Sequence, residues 1–250
     1  MTDAEKWNLF MEIHSGNPQE GPGDFESTAK AFSMLNPLPS NPRILDAGCG
    51  PGRQTLDLCR LSDGSITAVD LHQPYLDTVQ QIAPAGRVKT LAADMGDLPL
   101  EPGSFDLIWS EGSIYNIGFF KGLKKWRPLL SENGAIAVTE LSWLQPNPPD
   151  EPTNFWKKGY PQMQTVEQNL TDLERAGYEP LGHFTLPESA WWNYYHPLAE
   201  HIAKLEEKYA DKPDAQELFT AERAEQALYR DFSNSYGYVF YIGRKTRRVI

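Results

Sequence analysis

The fold of this chain is indicated by one segment, Leu45-Asp46-Ala47-Gly48-Cys49-Gly50-Pro51-Gly52. It follows a short apolar run that begins at Arg43, and it precedes a helical pattern that begins at Gln54. Glycines at such a junction let a ligand approach the backbone because no Cβ intervenes, and the helix that follows presents free N–H groups. The stretch therefore predicts a ligand-binding turn at the carboxyl edge of a parallel sheet.

Apolar strands and amphipathic helices alternate around this turn. Five strands are predicted at residues 43–46, 65–70, 87–92, 104–109 and 134–139, and helical patterns follow the first, second and fourth of them. Alternation at this spacing predicts parallel βαβ units with right-handed crossovers. The strands are almost continuously apolar, which is typical of a sheet that helices cover on both faces. The chain is therefore expected to fold as an α/β domain.

Further helices are predicted near both ends of the chain. Helical patterns over residues 3–14 and 25–35 precede the first strand, and a mostly helical insertion covers residues 188–234. A last strand follows at Tyr236–Gly243. Residues 142–162 are rich in proline and aromatic side chains, and they predict a long irregular loop, either a lid or a loop pinned by its own rings.

The length of 250 residues is typical of one large α/β domain, and we expect a single domain with four parts. These parts are an N-terminal helical cap at 1–36, a core at 37–187, the helical insertion at 188–234, and the last strand with its tail at 235–250. Hydrophobic residues make up 40% of the chain, which is the ordinary composition of a globular protein.

Composition limits the partners and the compartment. The formal net charge is −11, and an acidic protein repels phosphate backbones, so no nucleic-acid partner is expected. The N-terminus has no secretory pattern and no apolar stretch is long enough to span a bilayer, so no membrane partner is expected. The two cysteines, Cys49 and Cys59, are too few for a disulfide framework, which favours a soluble protein of the cytoplasm.

Acidic residues follow three successive predicted strands. Asp46 precedes the glycine turn, where a carboxylate repels a pyrophosphate, and Arg53 stands where the dinucleotide fingerprint requires Gly or Ala. Both features favour a ligand without phosphate. Asp70 ends the second strand, where an acid accepts hydrogen bonds from both hydroxyls of a ribose, although a turn or N-cap acid also fits. Asp94 and Met95 follow the third strand, where they suit an adenine ring.

These motifs resemble those of the class I methyltransferases that use S-adenosylmethionine (SAM). The resemblance rests on Asp46-x-Gly48-x-Gly50-x-Gly52, Asp70, Asp94-Met95 and Phe105-Asp106-Leu-Ile-Trp109, and it covers roughly residues 40–141. It implies a Rossmann-like, mostly parallel sheet of seven strands with helices on both faces and an antiparallel last strand. It also implies methylation of a small-molecule acceptor.

The resemblance assigns roles to individual residues. It implies that Asp46 and the glycine turn hold the methionine part of SAM, that Asp70 binds the ribose, and that the adenine is contacted after the second and third strands. His14 with the segment Gly21–Thr28 would close over the methionine end, although Ser27 also fits a helix cap. The product would be S-adenosylhomocysteine (SAH), and no metal is expected. The predicted cofactor-binding residues are Asp46, Gly48, Cys49, Gly50, Asp70, Leu71, Asp94, Met95 and Ser110.

The acceptor side of the site is less defined. The stretch Ser110–Tyr115 lacks the Asn/Asp-Pro-Pro-aromatic tetrad of methyltransferases that act on bases or amide nitrogens, so the acceptor atom stays open among O, N, C and S. Glu111 and Tyr115 are the candidate catalytic residues, with a structural acid and a pocket wall as their alternatives. The aromatic side chains at the start of the helical insertion fit two interpretations equally well, a wall of the acceptor pocket and ordinary packing in the core. The predicted acceptor pocket contains Tyr115, Trp191, Trp192, Tyr194 and His196.

Other functions fit parts of the same pattern. A SAM-binding protein without catalysis would keep the glycine turn. A nicotinamide-dependent oxidoreductase would use a similar sheet, but Arg53 and Asp94-Met95 speak against it. The expected aromatic enclosure favours an enzyme, and it argues against protein substrates, which need an open groove. A homodimer through the helical insertion is compatible with the sequence.

Overall fold

The computed structural model of the chain describes residues 1–246, so residues 247–250 of the predicted tail lie outside the described residues. The helices are α1 (Asp3–His14), α2 (Phe25–Ser33), α3 (Arg53–Leu61), α4 (Gln73–Ile82), α5 (Phe119–Trp126), α6 (Asp150–Gly159), α7 (Val166–Arg175), α8 (Glu188–Lys208) and α9 (Pro213–Phe232). The strands are β1 (Arg43–Ala47), β2 (Ser65–Asp70), β3 (Val88–Ala92), β4 (Phe105–Ser110), β5 (Leu130–Trp143), β6 (Gln164–Thr165), β7 (Tyr178–Thr185) and β8 (Tyr236–Lys245). Within residues 1–246, no helix is both long enough and apolar enough to cross a bilayer.

The strands form one sheet in the order β3-β2-β1-β4-β5-β8-β7, and β6 pairs with the end of β5. β1 pairs in parallel with both β2 and β4, so the direction of winding reverses there. Ligands of open α/β sheets bind outside the carboxyl ends of the strands at such a reversal. β8 runs antiparallel to both of its neighbours. The Rossmann-like fold is therefore confirmed, and the two-residue β6 adds to the seven predicted strands.

Helices cover both faces of this sheet. Side chains alternate between the two faces along each strand. In β4, Ile108 packs with α5 and α7 on one face, whereas Leu107 and Trp109 pack with α2 and α3 on the other. In β8, Tyr241 and Phe240 divide between the same two faces. All five side chains are fully buried, so the nearly continuous apolar strands of the sequence reflect burial from both sides.

A further apolar core lies outside the sheet and joins α1, α8 and α9. It contains Leu9 and Ile13 of α1 with Phe219 of α9, and it reaches the sheet at Leu141 of β5. The opposite face of α1 stays outside this core, and its Trp7 is 61% exposed. The N-terminal cap and the helical insertion therefore pack together, although they lie at opposite ends of the chain. The division of the domain into four parts remains a prediction.

The predicted irregular loop over residues 142–162 is wrong for much of its length. β5 continues to Trp143 and pairs there with β6 and β8, and α6 then occupies Asp150–Gly159. The prolines suggested a loop, but Pro149 is the N-cap of α6 and Pro152 lies in its first turn. The N–H groups of a first turn have no partner within the helix, so proline is tolerated there.

We expect Phe240→Ala to destabilise the fold by about 3–5 kcal/mol. The Phe240 ring is fully buried and lies 5.6 Å from the Trp109 ring and 5.3 Å from the Phe184 ring, so truncation leaves a cavity between three strands. Urea denaturation monitored by circular dichroism measures the loss. The control is Ile82→Ala, on a side chain that is 46% exposed, with an expected loss below about 1 kcal/mol. Equal losses in the two variants would contradict this packing.

Candidate functional site

A large cavity lies between the carboxyl edge of the sheet and a cap formed by α1, α6, α8 and α9. Its volume is about 1320 Å³, above the roughly 300–1,000 Å³ typical of a pocket for one small molecule. Most of the predicted site residues line this cavity, namely Gly48, Cys49, Gly50, Asp70, Leu71, Asp94, Met95, Glu111, Tyr115, Trp191 and Tyr194. The predicted site residues that do not line it are Asp46, Ser110, Trp192 and His196.

The glycine turn is held against the neighbouring strand β2. The N–H groups of Gly48 and Cys49 both donate to the carbonyl of Val69, each at 2.9 Å. Gly48 has a φ of +76°, and a Cβ at this position would lie 2.4 Å from Ser113 Oγ and 2.6 Å from Met95 Cε. Only glycine combines this backbone conformation with so close an approach.

Asp70, at the end of β2, supports the same turn through its carboxylate. Oδ2 accepts a hydrogen bond from the N–H of Gly50 at 2.9 Å, and Oδ1 accepts one from the N–H of His72 at 2.8 Å. A carboxylate has about four lone-pair sites, so each oxygen retains capacity for a second donor. Because Asp70 lines the cavity, a ligand there can supply that donor.

The loop after β3 contributes Asp94 and Met95. Oδ1 of Asp94 accepts from the N–H of Gly96 at 2.7 Å, and the carbonyl of Met95 accepts from the indole N–H of Trp126 at 2.8 Å. Leu71 is 72% exposed and presents apolar surface to the same part of the cavity. This part is termed the turn side and is lined by Gly48, Cys49, Gly50, Asp70, Leu71, Asp94 and Met95.

Asp46 and Ser110 lie beneath the turn rather than on the cavity wall. Oδ2 of the fully buried Asp46 accepts from Thr55 Oγ1 at 2.5 Å, and burial raises the pKa of Asp46 to about 7. The hydroxyl of Ser113 donates to the carbonyl of Ala47 at 2.8 Å, so Ser110 Oγ, which lies 2.6 Å from Ser113 Oγ, is the donor of that pair. The geometry thus favours support of the turn by Asp46 and Ser110 over direct contact with a ligand.

Glu111, predicted as a candidate base, has both oxygens engaged. Oε1 accepts from Thr28 Oγ1 at 2.9 Å and from the indole N–H of Trp109 at 2.8 Å. Oε2 pairs with Arg53 at 2.5 Å, and Arg53 is also paired with Asp57 at 2.8 Å. The geometry favours the structural alternative for Glu111. Sequence reasoning did not assign Arg53 this role, because its partner lies 58 residues away.

The cap side of the cavity is walled by aromatic rings, and this part is termed the aromatic chamber. Its rings are those of Trp7, Phe10, Phe155, Trp156, Tyr160, Trp191, Tyr194 and Tyr238.

The prediction that Trp192 and His196 belong to the acceptor pocket is wrong. Trp192 stacks on His196 at 5.3 Å and packs against Tyr195, and His196 is exposed. On a helix, residues adjacent in sequence point about 100° apart, and Trp192 turns from the cavity toward Tyr195 and Tyr229. Of the predicted cluster on α8, Trp191 and Tyr194 line the cavity.

Acidic side chains of the chamber were missed by the sequence reasoning. Glu20 lines the cavity from the loop after α1, and Glu222 and Glu225 line it from α9. A signal was present, because Glu222 and Glu225 recur at helical spacing with the buried Tyr229. Acids on a face that otherwise packs are candidates for a site. Within residues 1–246, no group of three His, Cys, Asp or Glu side chains is arranged to hold a metal ion.

His14 connects three parts of the cap. Its Nδ1 lies 3.3 Å from the Tyr194 hydroxyl and 3.4 Å from Glu20 Oε2, and its Nε2 lies 3.7 Å from Glu222 Oε1. Burial opposes a charge on the imidazole, but the two carboxylates outweigh it and raise the pKa of His14 to about 9. His14 is therefore a cation at neutral pH. Its predicted closure over the methionine end of SAM remains a prediction.

Comparisons with known proteins agree with this geometry. Residues 44–134 match the family model described as a methyltransferase domain. Malonyl-[acyl-carrier protein] O-methyltransferase of Pseudescherichia vulneris is 35% identical over 102 residues, 40% of this chain and 39% of that protein. The 27-O-demethylrifamycin SV methyltransferase of Amycolatopsis mediterranei (strain S699) is 24% identical over 235 residues, 87% of this chain and 82% of that protein. A SAM-dependent methyltransferase from Geobacter sulfurreducens, solved in complex with SAH, superimposes with a TM-score of 0.79 at 17% identity, covering 95% of this chain and 98% of that chain.

The matched domain contains the glycine turn, Asp70 and Asp94, which carried the resemblance in the sequence. The likeness to the solved structure, at 17% identity, shows the shared fold. Residues 44–134 are therefore similar to a methyltransferase domain, and the chain shares its fold with a SAM-dependent methyltransferase of solved structure. The alignment with the first relative spans about two fifths of that protein's length.

We expect Gly48→Ala to weaken SAM binding at least about tenfold, because the added Cβ displaces Ser113 and Met95 from the turn side. The matched control is Gly86→Ala. Gly86 has nearly the same φ, +75°, but a Cβ there meets nothing within 4 Å. This variant is therefore destabilised only by the backbone strain of alanine at a positive φ. Isothermal titration calorimetry with SAM measures both affinities. Equal SAM affinity in the two variants would show that the close packing of Ser113 and Met95 against Gly48 does not affect SAM binding.

Proposed function

We propose that this chain transfers a methyl group from SAM to a small-molecule acceptor inside the cavity. The observation that carries the proposal is the continuity of one cavity from the turn side to the aromatic chamber. The two parts adjoin at Glu20, whose Cγ lies 3.6 Å from the position of a Cβ on Gly50. Because the cavity is larger than a pocket for one small molecule, it can hold a methyl donor and an acceptor together.

The turn side suits SAM by its chemistry. The bare backbone at Gly48 admits the methionine part of the ligand, where a Cβ would collide with its neighbours. The remaining lone pairs of Asp70 would accept from the ribose hydroxyls, and those of Asp94 from the adenine amine. Leu71 and Met95 would supply apolar surface for the ring.

The chain has to orient the acceptor and exclude water, because SAM, when bound, supplies an already activated methyl group. Tyr115 follows β4 and lines the cavity, and its ring lies 5.9 Å from that of Tyr160. Desolvation, together with the nearby charge of Glu225, raises the pKa of Tyr115. The phenol therefore stays protonated and would orient the acceptor by donating a hydrogen bond rather than by removing a proton. Glu111 would position Arg53 and α2.

The remaining expectations about the protein's setting are also proposals. The acidic composition supports a function away from nucleic acid, and two unpaired cysteines, Cys49 and Cys59, support a reducing cytoplasm. A homodimer through α8 and α9 stays a prediction from the sequence. A non-catalytic SAM-binding role would share the turn side with the enzyme, and turnover distinguishes the two.

Calorimetric titration with SAM, SAH and NADH tests the ligand class. We expect SAM and SAH to bind and NADH to give no signal. We further expect Asp70→Ala to weaken SAM binding at least about tenfold, through lost ribose contacts and a looser turn at Gly50. Asp63→Ala, on an exposed acid before β2, is the control and should keep wild-type affinity. Binding of NADH without SAM would make the protein an oxidoreductase, and unchanged affinity in Asp70→Ala would remove Asp70 from the site.

Tyr115→Phe and Glu111→Gln are expected to act in different ways. With an acceptor found by screening for SAH release, Tyr115→Phe should lower kcat about tenfold or more while leaving the Kd of SAM within about twofold, because it removes only the orienting hydroxyl. Glu111→Gln should lower the free energy of unfolding by about 3 kcal/mol, because Arg53 loses a buried charged partner. Wild-type kcat in Tyr115→Phe would reject its role, and wild-type stability in Glu111→Gln would reject the structural one.

A further inference from the structure

The aromatic chamber has a surplus of negative charge. Glu20, Glu222 and Glu225 line it, whereas His14 is the basic side chain that its helices contribute to the wall. Two carboxylates, those of Glu20 and Glu222, already flank His14. Shielding carboxylates from water costs free energy unless cations compensate them. With one imidazolium and three carboxylates, the chamber keeps a negative charge that its own side chains do not compensate.

The other cations of the cavity wall do not remove this surplus. Arg53 lines the cavity from α3, and its guanidinium is committed to Glu111 and Asp57. Lys121 lines the cavity from α5, which is outside the set of helices that form the cap. The chamber thus presents net negative charge to whatever enters it.

Glu225 has a carboxylate oxygen that no described residue engages. Its Oε1 accepts from the Tyr195 hydroxyl at 2.9 Å, and no donor within residues 1–246 reaches Oε2. Burial and the neighbouring Glu222 raise the pKa of Glu225 to about 7. Glu225 also acts electrostatically on Tyr115 and Tyr194, whose pKa values are raised by desolvation and then by this carboxylate. Glu225, Tyr115 and Tyr194 therefore act on one another across the same cavity.

The chamber also contains a donor without a partner. Trp191 lines the cavity and is 2% exposed, and no described residue accepts a hydrogen bond from its Nε1. A buried donor left unpaired destabilises the protein, and an occupant that accepts this hydrogen bond removes that cost. The aromatic faces around it attract cations through their quadrupoles. A cationic ligand that also bears a hydrogen-bond acceptor matches this wall.

We infer that the methyl acceptor is an amine, which enters the aromatic chamber as its ammonium ion and is held by Glu222, Glu225 and the surrounding rings. The inference rests on the proposed function and adds the class of acceptor. The two partly buried carboxylates and several ring faces would each lose a favourable contact if the occupant were a neutral ring. Cationic charge is therefore the property that this chamber selects.

An ammonium ion has no lone pair and must lose a proton before it is methylated. The free Oε2 of Glu225 receives that proton: the N–H bond breaks, its electron pair stays on nitrogen, and the carboxylate becomes a carboxylic acid. A carboxyl group whose pKa is about 7 both accepts and releases a proton near neutral pH. Glu225 thus holds the proton at the site where the amine becomes nucleophilic.

Two probes of equal shape test the charge preference. Choline is a permanent cation, and 3,3-dimethyl-1-butanol is its neutral isostere. Each is titrated calorimetrically at pH 8, where Glu225 is ionised, into protein with and without saturating SAH. We expect choline to bind at least about tenfold more tightly than the alcohol. We also expect Glu225→Gln to lose at least about tenfold in choline affinity with the alcohol unaffected.

Matched variants complete the experiment. Glu217→Gln, on the exposed face of the same helix α9, should keep wild-type choline affinity. Glu222→Gln should weaken choline binding as Glu225→Gln does. Because the two variants test the same charge preference, the result does not depend on the folding of either one alone. Equal affinity for choline and the alcohol, or wild-type choline affinity in both chamber variants, overturns the inference. Absence of SAH binding overturns the proposed function, whereas SAH binding without a preference for choline overturns the amine inference alone.

Discussion

The buried carboxylate of Glu111 joins the elements on which the cavity depends. It follows β4, accepts from Thr28 of α2, and pairs with Arg53 in the first turn of α3. Because removing one partner of a buried ion pair costs about 3–5 kcal/mol, these three elements are held in one arrangement. The glycine turn leads directly into α3. Its position against Val69 and Asp70 therefore depends on a contact that lies outside the turn itself.

The two sides of the cavity come from different parts of the chain. The turn side lies wholly within residues 44–134, the stretch that matches the methyltransferase family model. The rings of the aromatic chamber lie outside that stretch, on α1, on and just after α6, on α8, and on β8. A family is thus recognised by the side that would hold the shared methyl donor. The side that would select an acceptor belongs to this chain's own cap.

The cap is held together by charge as well as by apolar packing. His14 lies between Glu20 and Glu222, and Lys208 of α8 pairs with Glu12 of α1. The exposed pair contributes little, because water screens it. The His14 cluster is shielded from water, so its charges act at greater strength. The same shielding strengthens the attraction between the free carboxylate oxygen of Glu225 and any cation that enters the aromatic chamber.

Short segments of the sequence are enough to predict the parallel sheet, the glycine turn and the placement of acids at three strand ends. The glycines of the turn and the position of Asp70 at a strand end are properties of short segments, so they can be predicted without the rest of the chain. The side chains that meet across the cavity could not be predicted in this way, because they come from distant parts of the chain. Trp192 adjoins Trp191 in sequence but points away, and Glu111 satisfies its charge with Arg53, 58 residues away. Such contacts depend on how helices dock, because each helix offers several faces and packing selects the one that turns inward.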